Sequence, residues 1–121
     1  MKALIVDDEE DVRYVARVSL GNVGGMMVIE ACDGKEGIAR ARAERPDVIL
    51  LDVMMPGMDG PETLKVLRGY AETAHIPVVF LTAKGMAAQV SELETLGADG
   101  IILKPFDPLT LAARVRAILE S

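Results

Sequence analysis

Aromatic residues and cysteine are scarce in this sequence, and each scarcity limits what the protein can be. Aromatic residues make up 3% of the 121 residues and tryptophan is absent, so a core must be built from aliphatic side chains and methionine. The single cysteine, Cys32, excludes an intrachain disulfide, which fits a reducing compartment. We expect Cys32 to be a small buried apolar residue.

Long apolar segments are missing as well. No run approaches the roughly 20 residues that are needed to span a bilayer. The first apolar run, in MKALIVDDEE, is too short for a signal peptide and is followed at once by acidic residues. Together with the lone cysteine, these features predict a cytoplasmic protein that makes no membrane contact.

Positively charged residues are fewer than negatively charged ones. The chain has 13 Lys and Arg residues and 19 Asp and Glu residues, so its formal net charge is −6. An acidic surface repels the phosphate backbone of nucleic acids, so the composition predicts no direct nucleic-acid binding by this chain. Hydrophobic residues make up 50% and charged residues 26%, which is a globular balance. The length suits one domain, and no linker divides residues 1–121.

Five short apolar runs divide the chain, and four of them are nearly continuous rather than alternating. Continuous runs of this length are typical of strands covered on both faces, as in a parallel sheet. The runs comprise residues 3–6, 26–30, 47–51, 77–81 and 100–103.

Apolar residues recur at steps of three and four between these runs and predict a helix after each strand. Strands and helices that alternate in this way predict an α/β fold, (βα)5, with helices on both faces of a parallel sheet. The residues expected on the inner faces of the helices are Val12, Val15, Ala16, Ser19, Leu20, Val23, Leu64, Leu67, Met86, Val90, Leu93, Leu96, Leu111, Val115, Ile118 and Leu119.

Capping residues mark where several of these helices begin. Asp33, with Glu36 three residues later, has the spacing of a capping box before the second helix. Pro61 suits the first position of the third helix. Asp107 is placed to cap the last helix.

Polar residues follow four of the five predicted strands. In an open α/β sheet, functional residues gather beyond the carboxyl ends of the strands. The second run ends in Glu30 and shows no site signal. The residues that end the other four are Asp7 and Asp8, Asp52, Thr82, and Lys104.

Three carboxylates at one edge of a sheet carry more negative charge than one lysine offsets, which destabilises the fold unless a cation binds. Oxygen ligands suit Mg²⁺, which keeps several waters and often shares a phosphate. The cluster therefore predicts a Mg²⁺ site with one carboxylate free to attack phosphorus and form an aspartyl phosphate. Lys104 and the Thr82 hydroxyl would then contact the phosphoryl oxygens.

Each of these residues also has a simpler interpretation. Asp7 and Asp8 could cap the first helix, and Thr82 could be an ordinary strand-end hydroxyl. Asp59 is expected to be a cap or turn residue, and His75 a surface residue. Apolar loop contacts are expected of Met54, Met55 and Met58.

Four motifs make the sequence similar to the receiver domain of two-component response regulators, the chemotaxis-type receivers. They are LIVDDEE, ILLDVMMPGMDG, VVFLTA and ILKPF, in the order and at the spacing of that family. The resemblance covers essentially the whole chain. It implies the flavodoxin-like receiver fold, a doubly wound five-stranded parallel sheet with strand order 2-1-3-4-5.

The resemblance implies a role for each matching position in phosphoryl transfer. Asp52 would accept a phosphoryl group from a histidine kinase or a histidine phosphotransfer protein. Mg²⁺, or Mn²⁺ in its place, would be bound by Asp8, by Asp7 through water, by Asp52 and by the backbone carbonyl of Met54.

Further roles follow from the same resemblance. Thr82, Lys104 and the backbone N–H of Ala83 would contact the phosphoryl group, and the peptide bond before Pro105 would be cis. A downstream protein target would bind the face made by the fourth helix, fifth strand and fifth helix. The chain would be a monomer or a weak phosphorylation-dependent dimer, and without an external substrate it would not be an enzyme in the usual sense.

Three positions bear on how such a receiver switches and how long it stays phosphorylated. The family usually has Tyr or Phe three residues before the lysine, where this chain has Ile101. We therefore expect phosphorylation to move the loop after Thr82 and the helix near Met86 without an aromatic flip. Met54 and Lys84 stand where the family's residues flank the hydrolytic water, and we expect them to slow self-dephosphorylation.

Other classes of protein fit the residues less well. A phosphohydrolase of the haloacid dehalogenase type would have a second acid two residues after the nucleophile, where this chain has Met54. A flavodoxin-like cofactor binder would need a phosphate loop rich in Ser, Thr and Gly in place of DDEEDV. The alternative that remains is a degenerate receiver, a phosphorylation-independent protein-binding module, because Ile101 departs from the family pattern.

Overall fold

A single parallel sheet organises the chain in the computed structural model, which describes residues 1–83 and 90–121. The strand order is β2-β1-β3-β4-β5, so the predicted doubly wound fold is confirmed. Each strand occupies one of the apolar runs, with ends shifted by one or two residues. The strands are β1 (Lys2–Val6), β2 (Met27–Ala31), β3 (Val48–Asp52), β4 (Val78–Ala83) and β5 (Gly100–Lys104).

A helix follows each strand, as the periodicity predicts. The first helix continues into a π-helical segment of residues Val18–Val23. No helix in the described ranges is long and apolar enough to cross a membrane. The helices are α1 (Glu10–Arg17), α2 (Gly34–Glu44), α3 (Gly60–Gly69), α4 (Val90–Thr95) and α5 (Leu111–Glu120).

Two apolar layers form the core, one on each face of the sheet, because successive strand residues point to opposite faces. Leu4 and Val6 of β1 pack in the layer that contains residues of α3 and α4, whereas Ala3 and Ile5 pack in the layer that contains α1 and α5. The central strand β3 is buried along its whole length. The prediction of burial on both faces is wrong for β5, which is half-buried because it forms an edge of the sheet.

The predicted caps of α2 and α3 are confirmed, but the capping box predicted for α2 is incomplete, because the Glu36 carboxylate accepts from the Cys32 N–H and not from the Asp33 N–H. The side chain of Asp33 accepts a hydrogen bond from the Glu36 N–H at 2.8 Å. Asp59 caps α3 in a complete capping box with Glu62. The prediction for Asp107 is wrong, because its carboxylate accepts from the Leu109 N–H at 2.9 Å and forms a turn, so that α5 begins only at Leu111.

Of the side chains expected to be buried, three in the described ranges are exposed. Val23 ends the π-helical segment, whose wider turns shift the face that the α-helical spacing of Leu20 predicts. Leu96 lies beyond the end of α4, next to Gly97 at a φ of 98°. Cys32 is exposed in the loop that follows the edge strand β2.

Arg68, near the end of α3, fastens three parts of the fold together. Its guanidinium donates to the carbonyls of Ile76 at 2.6 Å and Gly97 at 3.2 Å. It also lies 3.3 Å from the carboxylate of Asp99, which accepts from the Val78 N–H at 2.8 Å. The start of β4 and the turn after α4 are therefore held to α3.

Candidate functional site

Four strands bring their carboxyl ends to one edge of the sheet, and the polar residues predicted from the sequence meet there. Asp7 follows β1, Asp52 ends β3, Thr82 is the penultimate residue of β4, and Lys104 ends β5. Parallel pairing sets Asp52 opposite Leu81 and sets Thr82 and Lys104 at the same edge. The strand register thus produces the expected convergence.

Lys104 is the cation at the centre of this site. Its ammonium nitrogen lies 3.1 Å from Oδ2 of Asp7 and 3.2 Å from Oδ1 of Asp52. A third carboxylate, that of Glu9, is 3.5 Å away. Among the residues that the structure describes here, one positive charge is therefore shared among three carboxylates, and negative charge is in excess.

Burial and neighbouring negative charge make the two inner carboxylates, those of Asp7 and Asp52, hard to ionise. Burial, reinforced by the charge of Asp7 and opposed by Lys104, raises the pKa of Asp52 to about 6. Burial also raises the pKa of Asp7. Burial acts to lower the pKa of Lys104, but the charges of Asp7 and Asp52 outweigh it and leave that pKa raised, so the lysine stays protonated.

The hydroxyl of Thr82 is buried and has no hydrogen-bond partner among the described residues. A buried polar atom without a partner costs stability, and such an atom in a native structure calls for an explanation. A phosphoryl oxygen bound beside Asp52 and Lys104 would supply the missing partner.

The donor set fits a hard divalent cation. Asp7, Asp8, Glu9 and Asp52 each offer a carboxylate oxygen, and these oxygens lie within 4.8 Å of one another. Mg²⁺ favours oxygen ligands of this kind. Their charge would also be offset by a cation, which Lys104 alone does not achieve.

Asp7 and Asp8 do not serve as helix caps. The N-cap of α1 is Glu9, whose side chain makes no capping bond. Asp7 is fully buried and accepts from the Glu9 N–H at 2.9 Å through Oδ1. Asp8 is exposed, which leaves its carboxylate available at the mouth of the site.

Glu9 is a site residue that the sequence analysis missed. It follows the two aspartates in LIVDDEE, and that run of acid was the available signal. The end of the first apolar run marks Asp7 and Asp8 but not Glu9, whose contact with Lys104 depends on the path of the turn into α1.

A cavity of about 580 Å³ opens beside the reactive edge. Asp52, Thr82 and Lys104 line its polar part, and apolar residues that include Val12 and Phe106 line the remainder. Met54 also lines the cavity and is 65% exposed, so the expectation that it packs in the loop is wrong. The other two loop methionines, Met55 and Met58, are buried or half-buried, and His75 is exposed as expected.

The remaining predicted positions lie as follows. The peptide bond between Lys104 and Pro105 is cis, as the resemblance implies. Ala83 lines the same cavity as Asp52. Ile101 is half-buried and packs against the core layer that contains Phe80 and Leu93. Lys84 and Met86 lie outside the described residues.

Comparisons with known proteins agree with this geometry. The family model described as the response regulator receiver domain matches residues 3–116. The chain is 44% identical over 120 residues to the alkaline phosphatase synthesis transcriptional regulatory protein PhoP of Bacillus subtilis, covering 98% of the chain and 48% of that protein. It is 41% identical over 120 residues to the probable transcriptional regulator ycf27 of Guillardia theta, covering 98% of the chain and 45% of that protein.

Solved structures show the same fold. The chemotaxis protein CheY4 of Vibrio cholerae matches with a TM-score of 0.89 at 35% identity, over 97% of each chain. The receiver domain of NtrX from Brucella abortus matches with a TM-score of 0.88 at 26% identity, over 98% of each chain.

The chain spans about half the length of the curated relatives it matches. Those relatives are named as transcriptional regulators. The comparisons therefore do not support the prediction that nucleic acid is absent from the partners, which rested on the charge of these 121 residues alone.

Proposed function

The chain belongs to the response regulator receiver domain family, and from that premise we propose that it is a phosphorylation-controlled signalling module whose phosphoacceptor is Asp52. The donor would be a histidine kinase or a histidine phosphotransfer protein, and the receiver would comprise residues 1–121 and act in the cytoplasm. The single observation that carries the proposal is the contact of Lys104 with both Asp52 and Asp7 at the reactive edge.

The transfer step uses groups that are already in position. A carboxylate oxygen of Asp52 forms a bond to phosphorus while the bond between phosphorus and the donor imidazole nitrogen breaks, and the electron pair of that bond stays on the nitrogen. The ammonium of Lys104 and the hydroxyl of Thr82, which has no partner in the described part of the chain, contact the phosphoryl oxygens and stabilise their charge. The N–H of Ala83 is the third donor in this proposal.

The acidic cluster is the proposed cation site. Asp7, Asp8, Asp52 and the backbone carbonyl of Met54 would hold Mg²⁺, or Mn²⁺ in its place, with Glu9 at the rim. A bound divalent cation supplies positive charge next to the phosphoryl oxygens.

Signal output is proposed to follow from a shift of Thr82 when its hydroxyl contacts the phosphoryl group. Strand β4, which carries Thr82, is paired with β5, so a shift at Thr82 reaches the face made by α4, β5 and α5. A downstream partner, or a second copy of the chain in a weak phosphorylation-dependent dimer, would bind that face. Where the relatives named as transcriptional regulators bind nucleic acid, we propose that the part outside the matched half makes that contact.

Intact-mass spectrometry after incubation with a small phosphodonor tests the proposal. We expect one added phosphoryl group that requires Mg²⁺ and is absent from Asp52→Asn. Asp47→Asn is the matched control, because Asp47 lies at the opposite end of β3 and accepts from the Lys2 N–H at 2.7 Å. No adduct on the wild type under any condition would instead favour the phosphorylation-independent binding module.

A further inference from the structure

Arg13, in the first half of α1, connects the turn that carries the acidic cluster to the second strand. Its Nη1 donates to the main-chain carbonyl of Asp7 at 2.7 Å. Its Nε lies 3.4 Å from Oε1 of Glu30 in β2. The side chain of Arg13 is 16% exposed, so water competes weakly for these contacts.

The other polar atoms of Asp7 are also engaged. Its N–H donates to the carbonyl of Ala31 at 3.1 Å. Its two carboxylate oxygens accept from the Glu9 N–H at 2.9 Å and from Lys104 at 3.1 Å. Arg13 therefore completes the set of bonds that fixes Asp7, and Arg13 is not among the residues that line the cavity.

The carboxylate of Glu30 forms ion pairs with two guanidinium groups, those of Arg13 and Arg17, and the two side chains differ in what else they contact. Arg17 lies 3.0 Å from Oε2 of Glu30, but its side chain is 51% exposed and it makes no described contact with Asp7. Arg13 contacts the other oxygen of the same carboxylate, and it also reaches inward to the main-chain carbonyl of Asp7 in the acidic turn. The planar guanidinium of Arg13 donates to the Asp7 carbonyl and forms an ion pair with Glu30 at the same time, which the single ammonium of lysine does not reproduce.

We propose that Arg13 is a positioning residue for the acidic cluster and that Glu30 is its anchor. By holding the Asp7 carbonyl, Arg13 sets the path of the turn from which Asp7 and Asp8 present carboxylate oxygens. This inference rests on the proposed Mg²⁺ site. It also gives the second strand a part in the site, through Glu30, although no polar residue at the end of that strand faces the cavity.

Partners that orient metal ligands without touching the metal change metal affinity by about 10- to 100-fold when they are altered. We expect Arg13→Lys, which keeps the charge but loses the bridge, to raise the Kd for Mg²⁺ by about tenfold. Glu30→Gln should raise it less, because Arg13 keeps its bond to Asp7. Arg17→Lys is the matched control and should stay within about twofold of the wild type.

The experiment is an isothermal titration of Mg²⁺ into the wild type and the three variants, with thermal unfolding in the absence of Mg²⁺ as the check of folding. A second readout is amide hydrogen exchange of Glu9 in the metal-free protein, because that N–H is bonded to Asp7. Exchange at Glu9 should accelerate in Arg13→Lys and stay unchanged in Arg17→Lys.

An equal Kd for Arg13→Lys and Arg17→Lys, with unchanged exchange at Glu9, would overturn the inference. If Arg13→Lys does not fold, Glu30→Gln carries the same comparison. Failure of the wild type to bind Mg²⁺ would overturn the proposed metal site. Exchange at Glu9 would even then decide whether Arg13 holds the turn.

Discussion

Asp52 must hold its negative charge where water scarcely reaches, since 3% of the residue is exposed. The neighbouring carboxylate of Asp7 adds repulsion, and Lys104 offsets part of it. An anion in such a site is poised to react with an electrophile or to bind a cation, and it costs stability while it does neither.

The first prediction concerns the stability of Asp52→Asn in the absence of divalent cations. The folded protein raises the pKa of Asp52 from 3.8 to about 6, so the native state binds this proton more tightly than the unfolded chain does. Native stability therefore falls as the pH rises from about 4 to about 6. At pH 7.5 we expect Asp52→Asn to be more stable than the wild type by about 1–3 kcal/mol, and at pH 4 to be nearly equal to it.

Urea denaturation at the two pH values measures this difference. Added Mg²⁺ should stabilise the wild type more than the variant, because binding to the native state raises its stability. A stability difference of the same size at pH 4 and pH 7.5 would mean that the charge of Asp52 is not its cause.

The second prediction concerns Met54, whose exposed side chain lies over the cavity that holds Asp52. An apolar side chain there should keep water from the aspartyl phosphate. We expect Met54→Asn to shorten the lifetime of the phosphorylated form by about three- to tenfold, which corresponds to about 0.7–1.4 kcal/mol of barrier.

Loss of the phosphoryl group over time, followed by intact mass, measures that lifetime. Met27→Asn is the control, because Met27 is equally exposed at 64% but lies on the edge strand β2. Equal lifetimes for Met54→Asn and the wild type would contradict a shielding role.

At the scale of elements, α3 offers a comparison between two glycines of one helix. A Cβ on Gly60 would meet the carbonyl of Asp52 and would lie 2.8 Å from Cα of Val53, both of which are main-chain atoms that cannot rotate away. A Cβ on Gly69 would meet nothing within 4 Å. The start of α3 is therefore pressed against the end of β3, and its other end has free space.

The third prediction follows from this asymmetry. Gly60→Ala should lower the free energy of unfolding by about 2–4 kcal/mol, because the overlap with the main chain forces the strand and helix apart. Gly69→Ala should raise it by about 0.5–1 kcal/mol, because alanine favours the helix. Denaturant unfolding of both variants measures the pair, and a neutral Gly60→Ala would show that β3 and α3 can separate at little cost.

Sequence patterns predicted the elements well where a local signal decides the structure. The apolar runs located all five strands, and Asp33 and Asp59 marked helix starts because a cap depends on residues three positions away. The π-helical turn that exposes Val23 has no local signature, because the spacing of Leu20 and Val23 suits an ordinary helix equally well.

The site was predicted to a similar extent. Asp7, Asp52, Thr82 and Lys104 were found because parallel strands bring their carboxyl ends together. Glu9 and the bond from Arg13 to Asp7 were not found, because each depends on how a turn or a side chain bridges two elements. Such contacts join residues whose spacing in the sequence carries no information about them.

At the scale of the whole molecule, the sheet connects Asp52, the proposed phosphoacceptor, to the proposed output face. Strand β4 lies between β3, which carries Asp52, and β5, so Thr82 is one strand away from each. A change in the hydrogen bonding of Thr82 therefore has a short path across paired strands to the side where α4 lies.

The fourth prediction is that phosphorylation changes backbone amide chemical shifts across residues 82–96. The hydroxyl of Thr82, unpartnered within residues 1–83 and 90–121, should gain an acceptor when a phosphoryl group binds, and the backbone should adjust. Ile101 should contribute no ring flip, since it has no ring and packs in the core layer of Phe80. Spectra of the wild type and of Asp52→Asn, each treated with the same phosphodonor, test this, and identical shifts over residues 82–96 in free and phosphorylated protein would contradict it.

The contacts of Arg68 have a mechanical consequence for α4. Because Arg68 ties the carbonyl of Gly97 and the carboxylate of Asp99 to α3, any tilt of α4 would pivot about its carboxyl end, which would act as a fulcrum, and would move its other end furthest. With a rise of 1.5 Å per residue, a rotation of about ten degrees about Gly97 displaces Val90 by roughly 1.5–2 Å and leaves Thr95 almost still. A partner that binds α4 near Val90 would therefore distinguish two positions of the helix better than a partner that binds near Thr95.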